Sequence, residues 1–163
     1  MFTNYEKVFY EIKNTLLNSE NLRKLVFYNT PDALEKNTIP SLNEASQTIY
    51  IKPIIYVYDD SPEYGISTFI SIGLIESIIL DGSISSSIKV SVACDRKIWE
   101  LDNNRVRPLA ILSEISNLDN LKLETAGKLV FRVVKEVYFN NDLVGYTALF
   151  DLDEEKGSVV NEF

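Results

Sequence analysis

Between Ile84 and Leu152 the chain alternates apolar and polar residues on either side of one stretch, Ile98 to Leu118, that keeps a different rhythm. Before it, Ile84, Ser86, Ile88, Val90, Val92 and Cys94 share one parity, while Ser85, Ser87, Lys89, Ser91 and Asp95 share the other. That is the pattern of a half-buried antiparallel strand. After it, Leu129, Phe131, Val133, Val137 and Phe139 alternate with Arg132, Glu136 and Tyr138. Asn140-Asn141-Asp142 then turns the chain, and Val144, Tyr146, Ala148, Phe150 and Leu152 return as the hairpin partner. Within the intervening stretch Ile111, Leu112, Ile115 and Leu118 fall on one helical stripe, and Asp102 or Asn103 can cap its start. A sheet crossed by a single helix is the simplest object that satisfies all three patterns.

The first half extends this to an α+β class: amino-terminal helices, a mainly antiparallel sheet with one central helix crossing it, and a carboxy-terminal β-hairpin. Tyr5, Val8, Phe9, Ile12, Leu16 and Leu17 recur at helical spacing, and Thr3 with Glu6 forms a capping box, so a helix is expected from about Asn4 to Asn18. Ser19 is placed to cap a second helix through Leu22, Leu25 and Val26, and Thr30-Pro31 opens a third short turn. Asn37 to Gln47 reads as a surface connection. Thr48 to Tyr58 reads as a strand in which Pro53 demands an edge or a bulge. The Ile-rich window Ile66 to Leu80 is another strand, with Gly73 as a candidate bulge and Asp81-Gly82 as the following turn. Residues 1–152 are expected to form a single α+β domain, and 153–163 an acidic, flexible tail.

The chain holds no histidine and one cysteine, Cys94, which removes Ser-His and Cys-His nucleophile systems, the usual zinc spacings and any intrachain disulfide. Cys94 lies on the apolar parity of its strand, so it reads as a buried small side chain. Ser86-Ser87-Ile88-Lys89 spells Ser-x-x-Lys, yet on a strand residues three apart point to opposite faces. Asp151, Asp153, Glu155 and Glu162 have the spacing of calcium-loop ligands, but Lys156 stands where the loop needs glycine. No glycine-rich phosphate cradle is present. No catalytic constellation, cofactor or metal is therefore expected, and the chain reads as a non-enzyme. With a net charge of −8, it lacks a general means of neutralising phosphates, so specific nucleic-acid binding is disfavoured. The apolar window near Ile66 is too short and too interrupted to span a bilayer, and Met1 to Glu6 carries no signal-peptide pattern, so synthesis in the cytoplasm is expected.

Arg96, Lys97, Arg105 and Arg107 cluster at the entrance of the central helix, where positive charge opposes the macrodipole. Two kinds of partner would offset that: Glu100, Asp102 or Glu114 within the chain, or a carboxylate on a neighbouring subunit, which a guanidinium fork fits well. The acidic loop carrying Asp59, Asp60 and Glu63 is a second candidate contact with a neighbour, against ordinary solvent exposure.

Trp99-Glu100-Leu101-Asp102, Arg105-Val106-Arg107-Pro108, Ile111-Leu112-Ser113-Glu114-Ile115, Gly127-Lys128-Leu129 and Asn141-Asp142-Leu143-Val144-Gly145-Tyr146, in that order, resemble tailed-bacteriophage tail terminator proteins, the tail-completion or tail-to-head joining family. The similarity covers the second half by residues and the first half by element order. The resemblance implies a virion structural subunit that forms a ring, typically of six copies, at the head-proximal end of the tail. Its implied partners are further copies of itself, the tail tube and the head connector, with DNA passing through the lumen without specific binding. It supplies no catalytic residues. The alternatives are another neck or tail ring protein, or a free-standing acidic binding protein.

Overall fold

The computed structural model describes residues 5–37, 49–51, 68–78, 84–124 and 126–153. The chain starts with helix α1, Tyr5–Asn18, whose Val8, Ile12 and Leu16 recur every four residues and are buried. Ser19 ends α1 and starts α2, Glu20–Phe27: its hydroxyl accepts from the Leu22 backbone N–H at 3.1 Å, and Leu22, Leu25 and Val26 turn inward. A 3₁₀ turn, Ala33–Glu35, follows. Thr3 of the capping box, the connection 38–48, Asp59 to Gly65, the Asp81-Gly82 turn and the tail from Glu154 lie outside the described residues.

Strands β1 (Ile49–Ile51), β2 (Thr68–Ile78), β3 (Ile84–Asp95), β6 (Lys122–Leu123), β7 (Gly127–Tyr138) and β8 (Leu143–Asp153) form a sheet in the order β1-β2-β3-β8-β7-β6. Among the described strands only β1 and β2 run parallel; the other pairings are antiparallel. β1 stands at the edge, where the Pro53 argument puts its segment, although Pro53 itself is outside the described residues. Two short strands, β4 (Glu100–Leu101) and β5 (Arg105–Val106), pair separately and lead into α3, Arg107–Ser116. The chain thus has the α+β class that its patterning implies.

One face of the sheet carries Ile70, Ile72, Ile88, Val90, Val92, Cys94, Ala148 and Phe150, all buried against residues of the three helices, including Ile12, Leu22, Ile111 and Ile115. Register explains the selection, because Ile70, Val92 and Tyr146 lie side by side across the strands, as do Ile72, Val90 and Ala148. The opposite parity departs from expectation. Ser87 and Ser91, read from the sequence as solvent-facing, are buried, together with Ser71 and Thr147. Their hydroxyls are engaged across strands: Ser91 Oγ with Thr147 Oγ1 at 2.7 Å, and Ser87 Oγ donating to Asp151 at 2.8 Å. Short hydroxyls can be buried on a sheet when they satisfy one another, which alternation alone does not reveal.

Gly73 makes no bulge, since β2 and β3 stay in register through Gly73↔Lys89. The irregularity lies instead in β7 between Phe131 and Val133, where Arg132 is the extra residue. Gly145 is the glycine on which the sheet depends. It sits in β8 between Ala93 of β3 and Val137 of β7, and a Cβ there would collide with the backbone carbonyl oxygen of Val92. Gly145→Ala is expected to push β3 and β8 apart and to lower the unfolding free energy by about 2 kcal/mol or more, measurable by urea denaturation.

Candidate functional site

The stretch from Asp95 to Arg107 joins the sheet to the helices, and short-range hydrogen bonds fix its path. Asp95 caps a 3₁₀ turn, Arg96–Ile98, by accepting from the Lys97 N–H at 2.9 Å. Trp99 turns inward and donates from Nε1 to the Cys94 carbonyl at 2.9 Å, which ties the stretch to the end of β3. The β4–β5 hairpin follows, its turn holding Asn103 and Asn104 at positive φ of 62° and 58°. Asparagine is among the few non-glycine residues that accept that conformation, and it recurs in tight hairpin turns for this reason. Asp102 and Asn103 therefore belong to a hairpin rather than a helix cap. The helix starts later, at Arg107, with Val106 in the cap position and Pro108 fixing its first turn.

Arg107 is the largest fully buried side chain among the described residues, at 0% exposure. Its guanidinium donates to four backbone carbonyls: Nε to Ile98 at 2.7 Å, Nη1 to Leu25 at 2.6 Å and Tyr28 at 2.7 Å, and Nη2 to Thr30 at 2.9 Å. Four of its five N–H donors are thereby used. Leu25 and Tyr28 belong to the last turn and cap of α2, so the cation sits where that helix presents its negative end. The charge that opposes the dipole of α3 is thus absorbed by α2. Burial still pushes the Arg107 pKa below its ordinary value, without bringing a guanidinium near neutrality.

The sequence-predicted cluster therefore divides. Arg107 cannot reach a neighbouring subunit, because it lies inside its own chain; the expectation of an interface role is overturned, and so is pairing with Glu100, Asp102 or Glu114. Glu114 instead accepts from Ser19 Oγ at 2.7 Å and from Asn21 Nδ2 at 3.3 Å, fastening α3 to the start of α2. Arg96, Lys97 and Arg105 are exposed and have no ion pair among the described residues. Asp59, Asp60 and Glu63 lie outside the described residues.

The remaining chemical candidates fall as follows. Ser86 and Lys89 stand on opposite faces of β3, with Ser86 Oγ hydrogen-bonded to the Tyr5 hydroxyl at 2.8 Å, so the two cannot act together. Cys94 is fully buried, and burial pushes its thiol up to about 12. Asp151 accepts from Arg132 at 3.3 Å and from Ser87 at 2.8 Å, which uses one of the calcium-spaced carboxylates inside the sheet. Among the described residues no cluster of His, Cys, Asp or Glu could hold a metal ion, and no helix is long and apolar enough to cross a membrane. An open pocket of about 450 Å³ lies along α1, lined by Glu6, Lys7, Tyr10, Glu11, Asn14 and Glu124, with Glu11 accepting from the Glu124 N–H at 2.9 Å.

Sequence reasoning located Arg107 but not its role. The available signal was an arginine immediately before Pro108, at the head of an apolar helix with no acidic residue in its first turn. Removing it by Arg107→Met orphans buried carbonyls at roughly 1–3 kcal/mol each, so urea unfolding should show a loss of at least about 3 kcal/mol. Arg107→Lys should also destabilise, since an ammonium cannot span the four acceptors, whereas Arg105→Ala should change stability by no more than about 0.5 kcal/mol. Cys94 should resist a thiol reagent at pH 8 in the native protein and react at once in urea. Because its folded pKa is raised, the native state holds that proton more tightly than the unfolded state. The corresponding stability is present below pH 9 and is lost as pH climbs from 9 towards 12.

No curated protein and no solved structure matches the chain. A family model, described as YomW, matches residues 19–152, a span that includes α2, the Arg107 clamp and the sheet from β1 to the penultimate residue of β8. The chain belongs to the YomW family, a phage-associated family.

Proposed function

We propose that this protein is a structural subunit of a tailed-phage particle, a tail terminator whose copies form a ring, of six by the resemblance, between the tail tube and the head connector. The observation that carries the reading is the placement of Arg96, Lys97 and Arg105. They are exposed on one short stretch of a chain whose net charge is −8, and no carboxylate among the described residues pairs with them. A guanidinium so placed suits a carboxylate on an adjacent copy, and charge complementarity between copies sets orientation as well as affinity. Membership of a phage-associated family supports the same reading.

In this role the protein performs no reaction and needs no cofactor; its work is to hold a defined geometry. An acidic ring would let DNA pass without adhering, because it offers few cations to replace condensed counterions. Arg107 keeps the stretch rigid from within, while Arg96, Lys97 and Arg105 act from its outer side.

The purified protein should sediment as a closed oligomer, and antibodies against it should label one end of isolated tails. The double variant Arg96→Glu/Arg105→Glu should keep the wild-type melting temperature within a few degrees but dissociate at lower salt. A protein that is monomeric at all concentrations and absent from purified particles would overturn the proposal and favour a free-standing acidic binding protein.

A further inference from the structure

β7 has two unlike halves. In the first, the outward backbone groups are occupied: Leu129 donates to the Leu121 carbonyl at 2.9 Å and accepts from the Asn120 N–H at 2.8 Å, and the Phe131 N–H donates to the Asp119 carboxylate at 2.8 Å. The Arg132 bulge then shifts the alternation. Beyond it the Phe139 N–H donates to the Leu143 carbonyl at 3.0 Å, so Phe139, Val137, Lys135 and Val133 direct their backbone groups towards β8. Those of Val134, Glu136 and Tyr138 consequently point away from the sheet, and no described residue meets them. Phe131 and Tyr138, 42% and 66% exposed, bracket this half on the helix side of the sheet.

We infer that the open half of β7, Val134 to Tyr138, pairs with the β1 edge of a second copy of this chain, extending the sheet from one subunit into the next. A row of unpaired N–H and C=O groups is complementary to another strand and to little else. Two of the two-fold registers open to a β7–β7 pair are unfavourable. A two-fold register centred on the open half sets Glu136 against its own copy, and the next sets Lys135 against its own copy, each placing like charges directly opposite. A different strand avoids this, and the other end of the described sheet is β1, Ile49-Tyr50-Ile51. Direction agrees as well. β1 runs parallel to β2, and β2, β3, β8 and β7 alternate, so β7 is antiparallel to β1. Copies laid side by side in one orientation therefore meet as an antiparallel pair. Unlike edges joined head to tail generate a ring when the rotation closes, so this inference rests on the ring reading and names its seam.

The test compares the full chain with Glu136→Pro, which removes an outward N–H and leaves the β8 ladder intact. Melting temperature confirms that the variant is folded, and sedimentation reports assembly. The expected result is an unchanged fold with association weakened about tenfold or more. In parallel, Glu136→Cys is combined in turn with Ile49→Cys, Tyr50→Cys and Ile51→Cys. At least one pair should yield covalent multimers on oxidation, while variants that add only one cysteine to the buried Cys94 should not. Should the wild type assemble while the folded proline variant assembles equally well and no cysteine pair cross-links, the β7–β1 seam is wrong and the ring reading stands. A wild type that is monomeric throughout overturns both.

Discussion

The guanidinium of Arg107 is the point where three otherwise separate pieces of chain become one structure. Leu25 and Tyr28 bring the end of α2, Thr30 the turn that follows, and Ile98 the segment leaving β3; each offers a backbone carbonyl, and that of Thr30 also accepts from the Ala33 N–H at 3.2 Å. A buried cation is costly unless its donors are satisfied. Here they are met almost completely by groups that would themselves be costly to leave bare. Each side of the contact therefore resolves the other's desolvation. The pairing also fixes where α1 and α2 lie on the sheet. Without it, the helical layer would depend on the hydrogen bonds of Tyr5, Glu11 and Glu114 and on apolar contacts, which favour burial but specify orientation weakly.

From that fixed layer the rest follows in order. Glu114 on α3 reaches Ser19 and Asn21, so the same helix that begins at the clamp also positions the start of α2. The chain after α3 then runs along β7, its backbone meeting Leu129 and its Asp119 meeting Phe131, before the Arg132 bulge releases the strand. Protection of the sheet edge is thus local to the region the helix can reach. What lies beyond is left with its hydrogen-bonding groups facing outward, and the proposed assembly makes use of that remainder.

Much of this architecture was legible in the residues. Period-two alternation placed β3, β7 and β8, and helical spacing with Ser19 as a cap placed α1 and α2 within a residue or two of their ends. Those are local signals, carried by residues that meet their determinants within a few positions. Where reasoning failed, the determinant lay far along the chain. Asp102 and Asn103 resemble a helix cap until Leu101 and Arg105 are seen to pair, and Ser91 resembles a surface residue until Thr147 is beside it. For Arg107 the acceptors lie up to 82 positions away and are backbone atoms, so no charge pattern could have announced them. The exposed cations Arg96, Lys97 and Arg105 were legible as a candidate site, but their separation from Arg107 was not, because burial is a property of the fold rather than of the residue type.

The Arg107 clamp grips the main chain and ignores side-chain identity, and this gives it an unusual mutational asymmetry. Every residue type supplies the same carbonyl, so Leu25, Tyr28, Thr30 and Ile98 can drift in sequence without any compensating change at the other end of the contact. Only the arginine is irreplaceable. Contacts of this kind leave no paired substitutions between their two sides, and a search for co-varying positions would pass over the junction that sets the helical layer on the sheet. The position to watch in other YomW chains is an arginine immediately ahead of a proline, whatever residues end the helix it holds.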